Sequence, residues 1–391
     1  MTRRGFSVGD RIIKPATDTH PDWCAAYGRM GTFRFLGASA IGKMHLRNAR
    51  PRDDAFAVHS AGTWLAVAVS DGVGSSQRSR YGASFVVESL CQNLLSQITQ
   101  LAIPNGNDSS KILAEAGQKD QQQQNEPELR GKNVEDECNY PEHNQRGNAD
   151  DSWLNFEFPT SIEPLDQALT SFGTATWYHQ PTLNVQQATP TTSDKQEELI
   201  CTSEEQEVAS QRIDLEKLVR LAFLYTRLGL EGFTESRKML LNNLPCTLLG
   251  LLLNTKTGEV AVGQIGDGLI AWRSSNMGAH PLVEAPAPGE TGETYVFTQS
   301  DWQEYLRIRI LSSQATKDFS TYYLMTDGVA EDCIYPPPDD IFQRWARDID
   351  REVRKEEPLS QTATRLLRWL ANYEKPDSWD DRTLVVVLRD E

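Results

Sequence analysis

Histidine and cysteine are scarce in this chain: six of each in 391 residues. Cys24, Cys91, Cys138, Cys201, Cys246 and Cys333 stand far apart, with no C-x-x-C and no paired Cys/His spacing. Neither a disulfide framework nor a zinc site is expected from that pattern. Long apolar runs are lacking too; none approaches the ~20 residues that a membrane span needs. The start, MTRRGFSVGDRIIKP, has basic residues but no apolar stretch behind them, so it does not read as a secretory signal. Free thiols without a signal point to the reducing cytoplasm. Positive charge is the last shortage: 39 basic residues face 55 acidic ones, a net charge of −16. Neither a basic nucleic-acid footprint nor a polybasic membrane anchor is present.

The acidity is concentrated. Residues 104–212 hold 20 acids and 7 bases, so 13 of the 16 net charges belong to that segment. It includes QKDQQQQNEPELRGKNVEDE and SDKQEELICTSEEQE. Such composition buries too little apolar surface to offset ordering entropy, and most of it reads as disordered. We therefore expect an N-terminal extension over 1–30 and one domain over 31–391, interrupted by a polar acidic insertion at 104–212.

On either side the pattern changes. Aromatic and β-branched runs bounded by turn residues predict strands at 32–36, 55–59, 64–69, 247–253, 259–265, 269–272, 294–298, 321–325 and 383–388. Apolar residues at Ala83, Val86, Val87, Leu90, Leu94, Ile98 and Leu101 recur at helical spacing, as do Leu215, Leu218, Val219, Ala222 and Tyr225. Helices are also expected around 341–345 and 363–369. Strand pairs joined by tight turns dominate, without regular β-α-β alternation. That argues for an α+β fold: a sandwich of two antiparallel sheets flanked by helices.

Acidic residues recur at the strand ends. Asp71-Gly72, Asp267-Gly268 and Asp327-Gly328 follow strands, while Asp53-Asp54 and Asp380-Asp381 precede them. Asp-Gly is the commonest tight-turn pair, and any one of these needs no function. Five acidic sites converging on one edge are different. Carboxylates so close raise one another's pKa unless a cation neutralises them. Oxygen ligands suit Mg2+ or Mn2+.

These residues carry a family resemblance. GASAIGKMHLRNARPRDDAF (37–56), VAVSDGVGSSQRSRYGA (67–83), PCTLLGLLL (245–253), VGQIGDGLIAW (262–272), YYLMTDGVAED (322–332) and DDRTLVVV (380–387) resemble, in order, the motifs of metal-dependent serine/threonine protein phosphatases of type 2C. The GDG in place of GDSR is closer to a bacterial branch. The resemblance implies a two-sheet sandwich with two Mn2+ or Mg2+ ions at one end. Asp71 would bridge them, with the Gly72 carbonyl on one. Asp327 and Asp380 would complete the other, and Asp53 would stand beside the second. Asp267 with Asp327 would hold a weaker third ion. Asp54 would orient water, and Arg50 or Arg52 would bind phosphate. Hydrolysis of phosphoserine or phosphothreonine would follow by attack of a metal-bridging water or hydroxide, on phosphorylated proteins that include a kinase or its targets. Val73 replaces the histidine of the animal enzymes, so the leaving-group acid is not assigned. His45 reads as structural. Two alternatives stand beside this: a pseudophosphatase that binds phosphoproteins, and a cation-binding structural β-protein.

Overall fold

Eleven strands form among the described residues, and every pairing is antiparallel. The structure, a computed structural model, describes residues 22–74, 76, 78–101, 214–283, 294–334, 339–372 and 379–390. The segment 104–212 lies outside the described residues. One sheet runs β1 (Trp23–Met30), β2 (Phe33–Ala40), β11 (Arg382–Arg389), β10 (Thr321–Met325), β7 (Leu269–Ser274), β8 (Gly278–Pro281). The other runs β3 (Ala55–Ala61), β4 (Trp64–Ser70), β5 (Leu248–Asn254), β6 (Val260–Ile265), β9 (Arg307–Leu311). The helices are α1 (Lys43–Arg47), α2 (Ser79–Leu101), α3 (Leu215–Ser236), α4 (Trp302–Tyr305), α5 (Asp327–Ile334), α6 (Asp339–Val353) and α7 (Leu359–Asn372).

The period of two along each strand divides the core into three layers. Val385 and Val387 of β11 face the second sheet, where they meet Leu65, Val67, Leu249 and Leu251. Leu384, Val386 and Leu388 of the same strand face α6 and α7, among Trp345, Ile349 and Leu366. The outer face of the second sheet is covered likewise, by Val86, Leu90 and Leu94 of α2 and Leu218 and Phe223 of α3. Strands buried on both faces read as unbroken apolar runs, which is why β4 (WLAVAVS) and β5 (LLGLLLN) do. Each such Val or Leu contributes ~1.5–3 kcal/mol of burial.

The two long helices are antiparallel. Phe85 of α2 packs on Phe233 of α3, with ring centroids 5.0 Å apart, and Asn93 Nδ2 donates to Thr226 Oγ1 at 3.1 Å. Asp214 caps α3, its carboxylate accepting from the Lys217 amide at 3.0 Å, an interaction worth ~1 kcal/mol. Among the described residues no helix is long and apolar enough to cross a membrane.

Two expectations need correction, and one strand stands where none was expected. β1 falls inside the stretch assigned to an N-terminal extension and pairs with β2 along its whole length, so the sheet begins at Trp23. Residues 294–298 form no strand. The carbonyls of Phe297 and Gln299 are taken by Arg227 Nη1, at 2.6 and 2.9 Å, and the Phe297 ring packs edge-on against Phe223 and Trp302. The edge strand β9 went unseen because RIRIL is only half-buried.

Candidate active site

Strand register gathers the acids. Ala55 pairs with Ser70, which sets Asp54 beside Asp71. Met325 pairs with both Leu384 and Leu269, which places Asp327 between the approach to β11, with Asp380 and Asp381, and the β6–β7 turn, with Asp267. Two glycines let these loops close. A Cβ on Gly42 would collide with the Asp380 carbonyl group, and one on Gly328 with the Asp381 carbonyl oxygen. Both neighbours are backbone and cannot swing aside.

Threonines hold the acids in place. Asp54 is fully buried, and its Oδ2 accepts from Thr326 Oγ1 and Thr383 Oγ1, both at 2.8 Å. These hydroxyls come from the ends of β10 and β11, so Asp54 ties the two sheets together. The Asp71 amide donates to Thr247 Oγ1 at 2.9 Å, and the Thr247 amide returns a bond to the Asp71 carbonyl at 2.8 Å. Thr294 Oγ1 donates to Asp267 Oδ2 at 2.5 Å. Sequence reasoning left these threonines out of the site. Their signal was visible, since a threonine directly precedes Asp327 and another follows Arg382. Buried carboxylates need donors, and these hydroxyls at the strand ends supply them to Asp54 across the sandwich.

The electrostatics are those of crowded, desolvated carboxylates. Burial first, then the charge of Asp381, pushes Asp54 up to about 7, against which the hydrogen bonds with Asp71 and Thr383 work. Burial also raises Asp71, helped by the charges of Asp327, Asp54 and Asp380. Asp327 is raised by burial and by Asp267 and Asp380, and Asp380 by burial and Asp381. Asp53 is pushed up to about 6 by burial, with His45 and Arg50 opposing. Burial works against a charged ring on His45, yet the hydrogen bond to Asp381 and the charges of Asp381 and Asp53 outweigh it, and its pKa is raised. Such a cluster carries protons at neutral pH unless a cation replaces them.

The donor set fits a hard divalent cation. It is all oxygen, and Oδ1 of Asp53 and Oδ1 of Asp267 are buried without a hydrogen-bond partner. Among the described residues, no three His, Cys, Asp or Glu side chains stand in the spacing of a formed metal site. The carboxylates are close enough to raise one another's pKa, and Asp54 and Asp71 share a hydrogen bond.

The arginines divide. Arg50 reaches the site, but its Nη1 donates to the Gly74 carbonyl, and its Nη2 lies 2.9 Å from the Ser76 carbonyl and 3.5 Å from Asp53 Oδ2. It braces the loop after Asp71-Gly72. Arg52, expected as the alternative phosphate ligand, is only 2% exposed and points Nη1 at Cys24 Sγ, 3.0 Å away under β1. At that burial its guanidinium is shielded from solvent. Burial pushes the Cys246 thiol up to about 12, so it is inert.

The family model for protein phosphatase 2C matches residues 41–146 and 183–378, well over half of the chain. The chain belongs to the protein phosphatase 2C family. With that membership it is a protein-serine/threonine phosphatase, and Asp53, Asp54, Asp71, Asp267 and Asp327 all lie within the matched residues. Among solved structures, the chain is similar to a serine-threonine phosphatase 2C from Toxoplasma gondii, at 12% identity over 94% of this chain and 99% of that one, with a TM-score of 0.46. It is similar to the serine/threonine phosphatase Stp1 from Staphylococcus aureus, at 11% identity over 92% and 96%, with a TM-score of 0.43. It is also similar to RsbX in complex with magnesium, at 8% identity over 93% and 99%, with a TM-score of 0.40. A search of curated protein sequences finds no match.

Proposed function

We propose that this phosphatase is metal-dependent and hydrolyses phosphoserine and phosphothreonine in phosphorylated proteins, a serine/threonine kinase or its targets among them. The observation that carries the reading is the gathering of carboxylates from four separate segments at one end of the sandwich, each of Asp53, Asp54, Asp71, Asp327 and Asp380 raised in pKa by burial. Asp71, Asp327, Asp380 and Asp53, with the Gly72 carbonyl, would hold two Mn2+ or Mg2+ ions, and Asp267 with Asp327 a third. When bound, such ions neutralise a phosphomonoester and make water a stronger nucleophile.

The chain's own residues do the remaining work. Thr326 and Thr383 fix the Asp54 carboxyl, so that it can orient a water in the site. Thr247 locks the Asp71 backbone, so that its carboxylate enters the site from one direction. Arg50 keeps the following loop against Asp53. Among the described residues Cys24, Cys91 and Cys246 are free thiols, and with the acidic composition they suit the cytoplasm.

The test is turnover of an aryl phosphate and of a phosphoserine peptide by EDTA-stripped protein with and without added Mn2+ or Mg2+. Both substrates should be cleaved only with the cation, and Asp71→Asn should lower turnover by orders of magnitude. Full activity in demonstrably metal-free protein would overturn the reading.

A further inference from the structure

Between the two acid pairs lies a buried histidine ring. His45 is 1% exposed and is the one buried residue of the short helix α1, so this helix hangs on its side chain. Its Nδ1 stands 2.8 Å from Asp381 Oδ2. Both Asp381 oxygens also accept from backbone amides, so the carboxyl is the acceptor here and Nδ1 the donor.

Asp381 is the hub. Its Oδ1 accepts from the Gly42 amide at 2.6 Å, and its Oδ2 accepts from the Asp53 amide at 2.6 Å and from His45. Three donors on the 42–53 stretch thus close on one carboxylate of the 380–381 stretch, more than 300 residues away. Two further contacts seat the same parts on each other. The Met44 amide donates to the Trp379 carbonyl at 2.9 Å, and Gly42 presses on the backbone of Asp380. The other edge of the ring faces Asp53: Nε2 is 3.7 Å from Asp53 Oδ2, with Gly74 behind it. The ring is wedged where the segments bearing Asp53, Asp380 and the loop after Asp71 converge.

We propose that His45 is a positioning residue for the cation site. By donating from Nδ1 to Asp381 it holds the Asp53 and Asp380 segments at one separation, so that candidate ligands from opposite ends of the chain face the same ions. It touches neither substrate nor cation. The inference rests on the metal-dependent reading above.

The test uses side chains that place a donor differently. The asparagine amide nitrogen is as many bonds from Cβ as Nδ1 of histidine, and the glutamine amide nitrogen is one bond further. Mn2+ is titrated calorimetrically into EDTA-stripped full-length protein, with melting in EDTA as the control for folding. His45→Leu and His45→Gln should bind Mn2+ about 10–100-fold more weakly, the range seen when a ligand's supporting hydrogen bond is removed. His45→Asn should recover most of the affinity. The Mn2+ concentration for half-maximal aryl phosphate turnover should rise in step. Wild-type affinity in His45→Leu overturns the proposal, or in His45→Gln should the leucine variant not fold. So does an equal loss in His45→Asn and His45→Gln. Wild-type protein that takes no Mn2+ overturns the metal reading, and the positioning role with it; the other outcomes overturn the positioning role alone.

Discussion

Asp54→Asn should stabilise the metal-free protein at high pH while abolishing turnover. Asp54 is fully buried and its carboxyl is pushed up to about 7 from an ordinary 3.8. Below about pH 4 it is protonated in the folded and the unfolded chain alike. As pH rises from there, the unfolded chain releases its proton and the folded chain keeps it, so stability falls until pH passes about 7. At ~1.4 kcal/mol per pKa unit, the wild type loses at most ~3 kcal/mol at this position between pH 5 and pH 8. The Asp54–Asp71 hydrogen bond shares one proton between two acids, so part of that loss belongs to the pair, and ~1–3 kcal/mol is expected. Asparagine does not titrate. Its carbonyl oxygen keeps the bonds from Thr326 and Thr383, and its amide can donate to Asp71. Urea unfolding in EDTA at pH 5 and pH 8 measures the difference between variant and wild type, which should grow by that amount in favour of the variant. Added Mn2+ should reverse the order at pH 8. A difference that stays flat with pH, or a variant less stable than wild type at pH 8, would refute the burial argument.

Two further outcomes follow from packing. Gly328→Ala puts a methyl group into the Asp381 carbonyl oxygen. It should cost ~1–3 kcal/mol in urea unfolding and weaken Mn2+ binding by shifting Asp380 from Asp327; a variant unchanged in both would refute the close approach. Replacing residues 107–207 with a short Gly/Ser link should leave a soluble, folded, metal-dependent phosphatase. α2 and α3 run antiparallel, so Leu101 and Leu215 end on the same side, and loop-closure entropy changes only slowly with length. An insoluble or inactive product on aryl phosphate would place that segment in the core or the site.

Much of the architecture was legible because it is local. Alternating and unbroken apolar runs mark β3 to β7, β10 and β11, and the helical stripes of α2 and α3 follow from the side chains they must bury. The acids could be listed because they sit at the ends of those strands. β1 was not legible, since WCAAYGRM is a half-buried edge with little alternation, and its place depends on pairing with β2.

The sequence by itself determined the sandwich and the family, and it offered the candidate acids, because each motif is made of residues close together in the chain. The tertiary structure alone decided how they work together. Which aspartate of Asp380-Asp381 turns inward to accept three donors, and that one of those donors is His45, depends on contacts across more than 300 residues. Arg52 is a guanidinium like Arg50 in the sequence, yet it is buried with Nη1 on Cys24 of β1, whereas Arg50 lies beside Asp53. The pKa of each carboxyl follows from burial and from neighbours supplied by other strands. Register and desolvation are properties of the folded chain, and neither exists until the two sheets close on each other.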